Sequence, residues 1–377
     1  MRMTFITVGD TGRRVGGHIF NTRLCDELRA LGDDVTEIVA SGAPPDEQEA
    51  ATAGLGARVA AIPSDVIVVD ALARVVCAPW LDRWRAERPV VALVHELASV
   101  AGAGARDETA TAREQAVEAP LLRADLLITV SRDGRAILEA HGVPSSRIRV
   151  VQPGSNRPRP VAPSGASDET SVTGRSVDDG GLTRPLRALC VAQWIPRKGI
   201  DTLIAAWARI GGTSAGAPRP RATLRLIGET DADPAYAATV RAAIAAIAVT
   251  GDSSIVVSGA VDADTLEAAY AAADLFVLPS RYEGYGSVYA EALLRGLPII
   301  ACDAGAVPEL VGPDAGILVP PGDPTAFADA LERLLDDDDL RARLAAGARR
   351  RGARIPAWDD TVRGVRAVLE EAISRRR

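Results

Sequence analysis

The sequence predicts an α/β chain of two parallel-sheet domains, and three observations carry that prediction. Short apolar, β-branched runs alternate with helical periodicity throughout, the pattern of parallel strands covered by helices on both faces. A length of 377 residues suffices for two domains with separate cores. Between the two series of strands, 157–185 is rich in proline, glycine, serine, threonine and aspartate and reads as a linker or disordered loop. The expected domains are therefore 1–156 and 186–355, followed by a helical tail at about 358–377.

In the first domain, strands are expected at Thr4–Val8, Val35–Val39, Arg58–Ile62, Val66–Val69, Val90–Val94, Leu126–Val130 and Arg149–Val151. Phe20, Leu24, Leu28 and Leu31 recur at helical spacing between the first two, and Gly32 ends that helix. The opening Met1–Val8 runs straight into a glycine-rich turn without a small-residue cleavage site, so it reads as a strand and not a signal. The second domain repeats the pattern at Leu186–Val191, Thr223–Ile227, Ile255–Val257, Leu275–Leu278, Ile299–Ala301 and Ile317–Val319. Ligands of such open sheets bind at the carboxyl ends of the strands.

Composition narrows the function classes. Apolar residues make up 47% and charged residues 25%, and no apolar run approaches the ~18 residues of a membrane span. A net charge of -7 argues against a global attraction to nucleic acid. The four cysteines are scattered without a Cys-x-x-Cys pair, which indicates neither a disulfide framework nor a zinc site and suits a reducing cytoplasm. Trp80 and Trp84, with Arg83 and Arg85, fit either a peripheral membrane contact or a half-buried helix with snorkelling arginines, the second being the commoner use. Asp336–Asp339 reads as a solvated loop with helix capping, and Asp262-Ala263-Asp264 as a helix start and not a metal site.

The stretch Pro279–Glu291 carries the most chemistry. Glu283 and Glu291 flank the glycine-rich turn Gly284-Tyr285-Gly286-Ser287, between a buried strand and a helix. Backbone N–H groups at such a turn can face an anion. At about 1.5 Å per helical residue the glutamates stand roughly 12 Å apart, near the span from a sugar ring across a diphosphate to a ribose. Read alone, the two are more simply a first-turn acid favoured by the helix dipole, Glu283, and a solvated helix residue, Glu291. The loop Ala192–Gly199 adds the adjacent cations Arg197 and Lys198, able to neutralise a leaving diphosphate. The turn Gly9–His18 lacks the Gly-x-Gly-x-x-Gly of dinucleotide binding. His95 follows the apolar run Val90–Val94, and Glu96 stands beside it to orient the ring.

With these motifs the chain resembles the retaining GT-B glycosyltransferases of family 4, the glycosyl transferases group 1. Val130-Ser131, Gln152-Pro153-Gly154, Gly296–Ile300, Pro308-Glu309 and Pro320–Asp323 extend the likeness over nearly the whole chain, strongest from Leu186 to Asp323. The resemblance implies two Rossmann-like domains facing across a cleft, the first on the acceptor side, the second binding a nucleotide sugar, and a last helix that returns to the first. It implies that Glu283 contacts donor-sugar hydroxyls, Glu291 the ribose, and Gly16 and Gly17 the diphosphate and acceptor, while His95 lies near the sugar. Lys198 matches the family's phosphate-binding lysine. Gln193 stands where an arginine is usual, which leaves Arg197 as substitute cation or the phosphate grip weaker.

The expected catalytic set is Lys198, Glu283 and His95, and the donor-binding set adds Gly16, Gly17, Arg197, Gly284, Tyr285, Gly286, Ser287 and Glu291. The implied reaction moves a sugar from a UDP- or GDP-sugar to a hydroxyl acceptor with retention, without metal, cofactor or enzymatic nucleophile. A nucleotide-sugar epimerase or sugar phosphorylase on the same scaffold, or a silent GT-B binding protein, are the alternatives.

Overall fold

The computed structural model describes residues 1–9, 16–40, 51–102, 108–155, 184–211, 221–249 and 254–376. The chain divides into two compact units, Met1–Gly154 with Pro356–Arg377, and Ser155–Ile355. Most of the segment expected as a linker, and residues 10–15 of the Gly9–His18 turn, lie outside the described residues.

The first unit is a six-stranded parallel sheet. Its strands are β1 (Arg2–Val8), β2 (Asp34–Ala40), β3 (Val66–Asp70), β4 (Val90–Val94), β5 (Leu126–Thr129) and β6 (Ile148–Val150), in the order β2-β1-β3-β4-β5-β6. Every residue of β3, β4 and β5 is buried. Helices on both faces demand that, and continuous apolar runs result where a half-exposed strand would alternate. Successive side chains go to opposite faces. Ile67 and Val69 join one core with Leu55, Val76, Leu81 and Trp84, while Val66 and Val68 join another with Phe20, Leu24 and Leu28. Leu31, expected to extend that helical stripe, lies beyond the end of the Gly16–Ala30 helix and is exposed.

One expected strand is corrected. Arg58–Ile62 falls largely within a helix, Leu55–Ala60. Leu55 and Val59 are one turn apart and both buried, and Gly56 lies beneath Trp80, where a Cβ would come within 2.4 Å of the ring. A helix satisfies this apolar spacing, and the alanines around it favour one. Trp84 is fully buried and the Trp80 indole N–H donates to the Thr52 carbonyl at 3.3 Å, so both tryptophans serve the core. No described helix is long and apolar enough to cross a membrane.

The Trp358–Ser374 helix packs on this unit, placing Val362, Val365, Val368 and Leu369 in the second core. Thr361 donates its hydroxyl to the Gln152 carbonyl at 2.8 Å, and Arg149 pairs with Glu371. Gly154 explains its own identity: a Cβ there would lie 2.6 Å from the backbone of Ala357 and Trp358.

The second unit is also six-stranded and parallel, with β7 (Leu186–Val191), β8 (Ala222–Ile227), β9 (Ile255–Gly259), β10 (Leu275–Leu278), β11 (Ile299–Cys302) and β12 (Gly316–Val319) in the order β12-β11-β10-β7-β8-β9. Strand order reverses at the β10/β7 boundary, the place in an open parallel sheet outside which ligands bind. The Ile200–Ile210 helix buries Ile200, Leu203, Ile204, Trp207 and Ile210. Asp262 caps the Ala263–Ala272 helix by accepting from the Thr265 N–H at 2.7 Å, and Asp337 caps the next-to-last helix through Leu340 at 2.7 Å. All four cysteines are buried and unpaired.

Because its neighbours are backbone and cannot rotate away, Gly154→Ala is expected to destabilise the first unit by about 1–3 kcal/mol. Urea unfolding of the full chain measures it, and an unchanged midpoint would show that the tail helix shifts freely.

Candidate active site

In the second unit, the loops after β7 and β10 meet at the reversal of strand order. Pro196–Lys198 forms a short 3-10 turn that ends on Gly199 with φ +66, a conformation costly for residues with a Cβ. A side chain there would also lie 2.2 Å from the Pro279 carbonyl oxygen. The close approach brings the loops together, and the Arg281 N–H donates to the Arg197 carbonyl at 2.7 Å.

Glu283 sits in the middle of this contact at 5% exposure. Lys198 Nζ donates to its Oε1 at 2.6 Å, Ser280 Oγ donates to the same oxygen at 2.6 Å, and Arg197 reaches Oε2 at 3.3 Å. Arg197 also donates to the Tyr282 carbonyl at 2.9 Å. Burial alone would push the Glu283 carboxyl up. The charges of Lys198 and Arg197, with the hydrogen bonds from Lys198 and Ser280, outweigh it and hold the group below the usual glutamate range.

After Glu283 the chain turns through Gly284 and buried Tyr285 into Gly286, which has φ +90 and precedes the Ser287–Leu294 helix. A Cβ on Gly286 would strike the Tyr289 ring at 2.6 Å. The first N–H groups of a helix lack carbonyl partners one turn earlier, and here the Tyr289 N–H is the first to find one, donating to the Gly286 carbonyl at 3.0 Å. Glu291, within the helix, lies apart from this cluster. The Tyr270 hydroxyl, which donates to the Val288 carbonyl at 3.3 Å, and the positive charge of Arg295 favour the ionised carboxyl, yet burial dominates and raises its pKa. Arg295 is itself braced, donating to the Glu291 carbonyl at 2.7 Å and covering the Tyr270 ring at 4.5 Å.

Gln193 lies at the carboxyl end of β7 and donates its amide to Glu229 Oε2 at 2.6 Å. That position therefore supplies no cation, and a carboxylate stands behind it.

The structure brings the first unit's predicted residues together separately. Gly16 opens the first helix, and an ideal Cβ on Gly17 lies 3.8 Å from His95 Cδ2. The expectation that Glu96 orients His95 is corrected: the ring's hydrogen bond is Nε2 to Asn21 Oδ1 at 3.0 Å, and Phe20 packs against it edge-on at 4.9 Å. Asn21 and its partner Asp70 were missed. The available signals were an aspartate ending the buried run Val66–Val69 and an asparagine one position beyond Phe20 on the helix's buried side.

Two family models match the chain: "Glycosyltransferase Family 4" over residues 16–157 and "Glycosyl transferases group 1" over 185–337. A D-inositol 3-phosphate glycosyltransferase of Xylanimonas cellulosilytica is 30% identical over 307 residues, which is 79% of this chain and 70% of that protein. Against two other curated relatives the match spans 66% and 63% of their length. In fold, the chain is similar to sucrose-phosphate synthase from Thermosynechococcus elongatus, with a TM-score of 0.79, 24% identity and 99% of each chain covered. It is also similar to the Anabaena protein HepE in complex with UDP-glucose, with a TM-score of 0.73, 19% identity, and 98% and 100% of the two chains covered.

The carboxylate between two cations generates a stability test. Glu283 has a folded pKa below its unfolded value of about 4.3, so its contribution is complete above that value and is lost as pH falls through the folded pKa. Glu283→Gln, which leaves Lys198 and Arg197 without their countercharge, is expected to cost about 3 kcal/mol. It should also flatten the acid limb of unfolding free energy measured against pH in urea. An acid limb identical to that of the unmutated chain would show that Glu283 is not held by the two cations.

Proposed function

The chain belongs to glycosyltransferase family 4, and on that premise we propose that it transfers a sugar from a nucleoside-diphosphate donor to a hydroxyl acceptor with retention of anomeric configuration. The observation that carries this reading is the cluster of Lys198, Arg197 and Glu283 beside the turn into the Ser287–Leu294 helix. It combines cations and helix-start amides for a diphosphate with a fixed carboxylate for sugar hydroxyls. The complex of HepE with UDP-glucose, a protein of similar fold, supports a nucleotide-sugar donor.

In the proposed reaction the bond from the anomeric carbon to the diphosphate oxygen breaks while the acceptor oxygen bonds to the same face. The acceptor's proton passes to the departing phosphate oxygen. Charge therefore accumulates on the diphosphate, where Lys198, Arg197 and the amides of Gly284 to Ser287 stabilise it. Those groups supply the countercharge without a metal ion. Glu283 accepts from donor-sugar hydroxyls, Glu291 from the ribose, and His95 of the first unit from a substrate hydroxyl. The engagement of Gln193 by Glu229 favours a second reading, a binding protein without turnover, and slow nucleotide release from UDP- or GDP-sugars in the presence of EDTA separates the two.

Lys198→Ala is expected to weaken nucleoside-diphosphate binding by on the order of 100-fold, the worth of a charge-assisted bond, with little change for the bare nucleoside. Calorimetry measures both, and equal losses for the two ligands would displace the diphosphate from Lys198.

Glu291 adds a pH signature. Its carboxyl is raised, and a protonated acid cannot accept from two ribose hydroxyls with both oxygens equally. Donor affinity should therefore fall, on acidification, at a pH above the ordinary glutamate range of about 4.3. Glu291→Gln should remove that dependence, as read by calorimetry between pH 7 and 4.5; an identical pH profile in the variant sinks the ribose assignment.

A further inference from the structure

The first unit contains a buried polar chain to which the proposed reaction gives no task. Asp70 ends β3 at 0% exposure, and Asn21, on the helix after β1, is 3% exposed. Asp70 Oδ2 accepts from Thr7 Oγ1 at 2.7 Å and from Asn21 Nδ2 at 2.6 Å, while its Oδ1 accepts from the Leu72 N–H at 3.1 Å. With its amide nitrogen committed to the carboxyl group, Asn21 turns its oxygen to His95 Nε2 at 3.0 Å. An amide oxygen only accepts, so the proton of the pair must sit on Nε2. In a neutral imidazole that leaves a lone pair on Nδ1. Among the described residues, Nδ1 has no hydrogen-bond partner.

We propose that Asn21, anchored on Asp70, is a positioning residue that locks His95 as the Nε2–H tautomer, so that Nδ1 meets a substrate hydroxyl strictly as an acceptor. This rests on the assignment of His95 to a substrate hydroxyl. The residue types match the task. An aspartate in place of Asn21 would hold the same proton but add a negative charge at 3.0 Å, favouring the imidazolium, which has no lone pair to offer. The neutral amide transmits the orientation of Asp70 without that charge. Burial lowers the His95 pKa, against the raising charges of Asp70 and Glu96 and with a small lowering contribution from His18, so the ring stays neutral at pH 7. Phe20 edge-on at 4.9 Å fixes the ring plane.

The experiment is long-range proton–nitrogen NMR of the full chain labelled with 15N-histidine, His95 being assigned by its loss in His95→Gln. The expected spectrum at pH 7.5 shows His95 with a protonated Nε2 and a pyridine-type Nδ1. Asn21→Ala should mix the tautomers, and so should Asp70→Asn, a same-sized change that frees the Asn21 amide to flip and serves if the alanine variant folds poorly. In transfer assays both variants should lose about 10- to 100-fold in kcat, as partners of a reacting group's ligand do, with KM for the donor within about twofold. A His95 protonated on Nδ1, a charged ring at pH 7.5, or variants that keep the unmutated tautomer would overturn the proposal. A locked ring in a chain that binds no nucleotide sugar would instead sustain the lock and refute the transferase reading.

Discussion

A buried carboxylate shared by two cations of the neighbouring loop is the constraint around which the second unit is arranged. Taking Glu283 out of water carries a penalty of several kcal/mol unless each oxygen finds a partner. Lys198, Arg197 and Ser280 provide those partners. To bring them close, the loop after β7 must touch the loop after β10, which requires β7 and β10 to be neighbours in the sheet, as the order β10-β7 makes them. The touching backbone then tolerates no side chain at Gly199. Gly305 obeys the same logic on the far side, where a Cβ would come within 2.3 Å of the Glu283 carbonyl oxygen. Topology, loop glycines and the ion cluster are thus one requirement met at three levels.

Much of this was legible in the sequence because it is local. The apolar runs of β3, β4, β10 and β11, the spacing of Ile200, Leu203, Ile204, Trp207 and Ile210, and the glycines between Glu283 and Ser287 each carry their signal within a dozen residues. The convergence of Lys198 with Glu283 was expected from the family resemblance and from the place of each residue just past a strand, not from any local pattern, and 85 residues separate them. What failed was different in kind. Arg58–Ile62 has too short an apolar run for periodicity to separate helix from strand, and only Trp80 lying over Gly56 decides it. Glu96 was a sensible partner for His95 by adjacency. The actual partner, Asn21, is 74 residues away and is chosen by how β1, β3 and β4 lie side by side. A contact between a helix and the end of a strand two neighbours away in the sheet leaves no spacing to read.

The two units use the same architectural opening for opposite electrostatics. In each sheet the strand order reverses once, between β1 and β3 in the first and between β10 and β7 in the second. At the first reversal, Thr7 and Asp70 support the neutral amide of Asn21 and, through it, a neutral imidazole. At the second, two cations and a carboxylate meet directly. A neutral acceptor suits a hydroxyl, whose charge changes little on binding, whereas fixed cations suit a diphosphate that gains charge as its sugar leaves.

Gln193 sharpens the demand on the second opening. An arginine there would face Glu229, and the glutamine instead donates to it at 2.6 Å, so position 193 supplies no cation. Arg197 and Lys198 already contact Glu283, so in the proposed reaction a diphosphate would share them with that carboxylate. Sharing weakens each contact in the ground state. It also means that the amides opening the Ser287–Leu294 helix carry a larger fraction of the stabilisation, because an N–H dipole fixed by Gly286 at φ +90 is already oriented and needs no partner exchanged. In the proposed reaction the backbone around Gly286 would thus do part of what a third cation does, which ties that chemistry to a turn where a Cβ on the glycine would lie 2.6 Å from the Tyr289 ring.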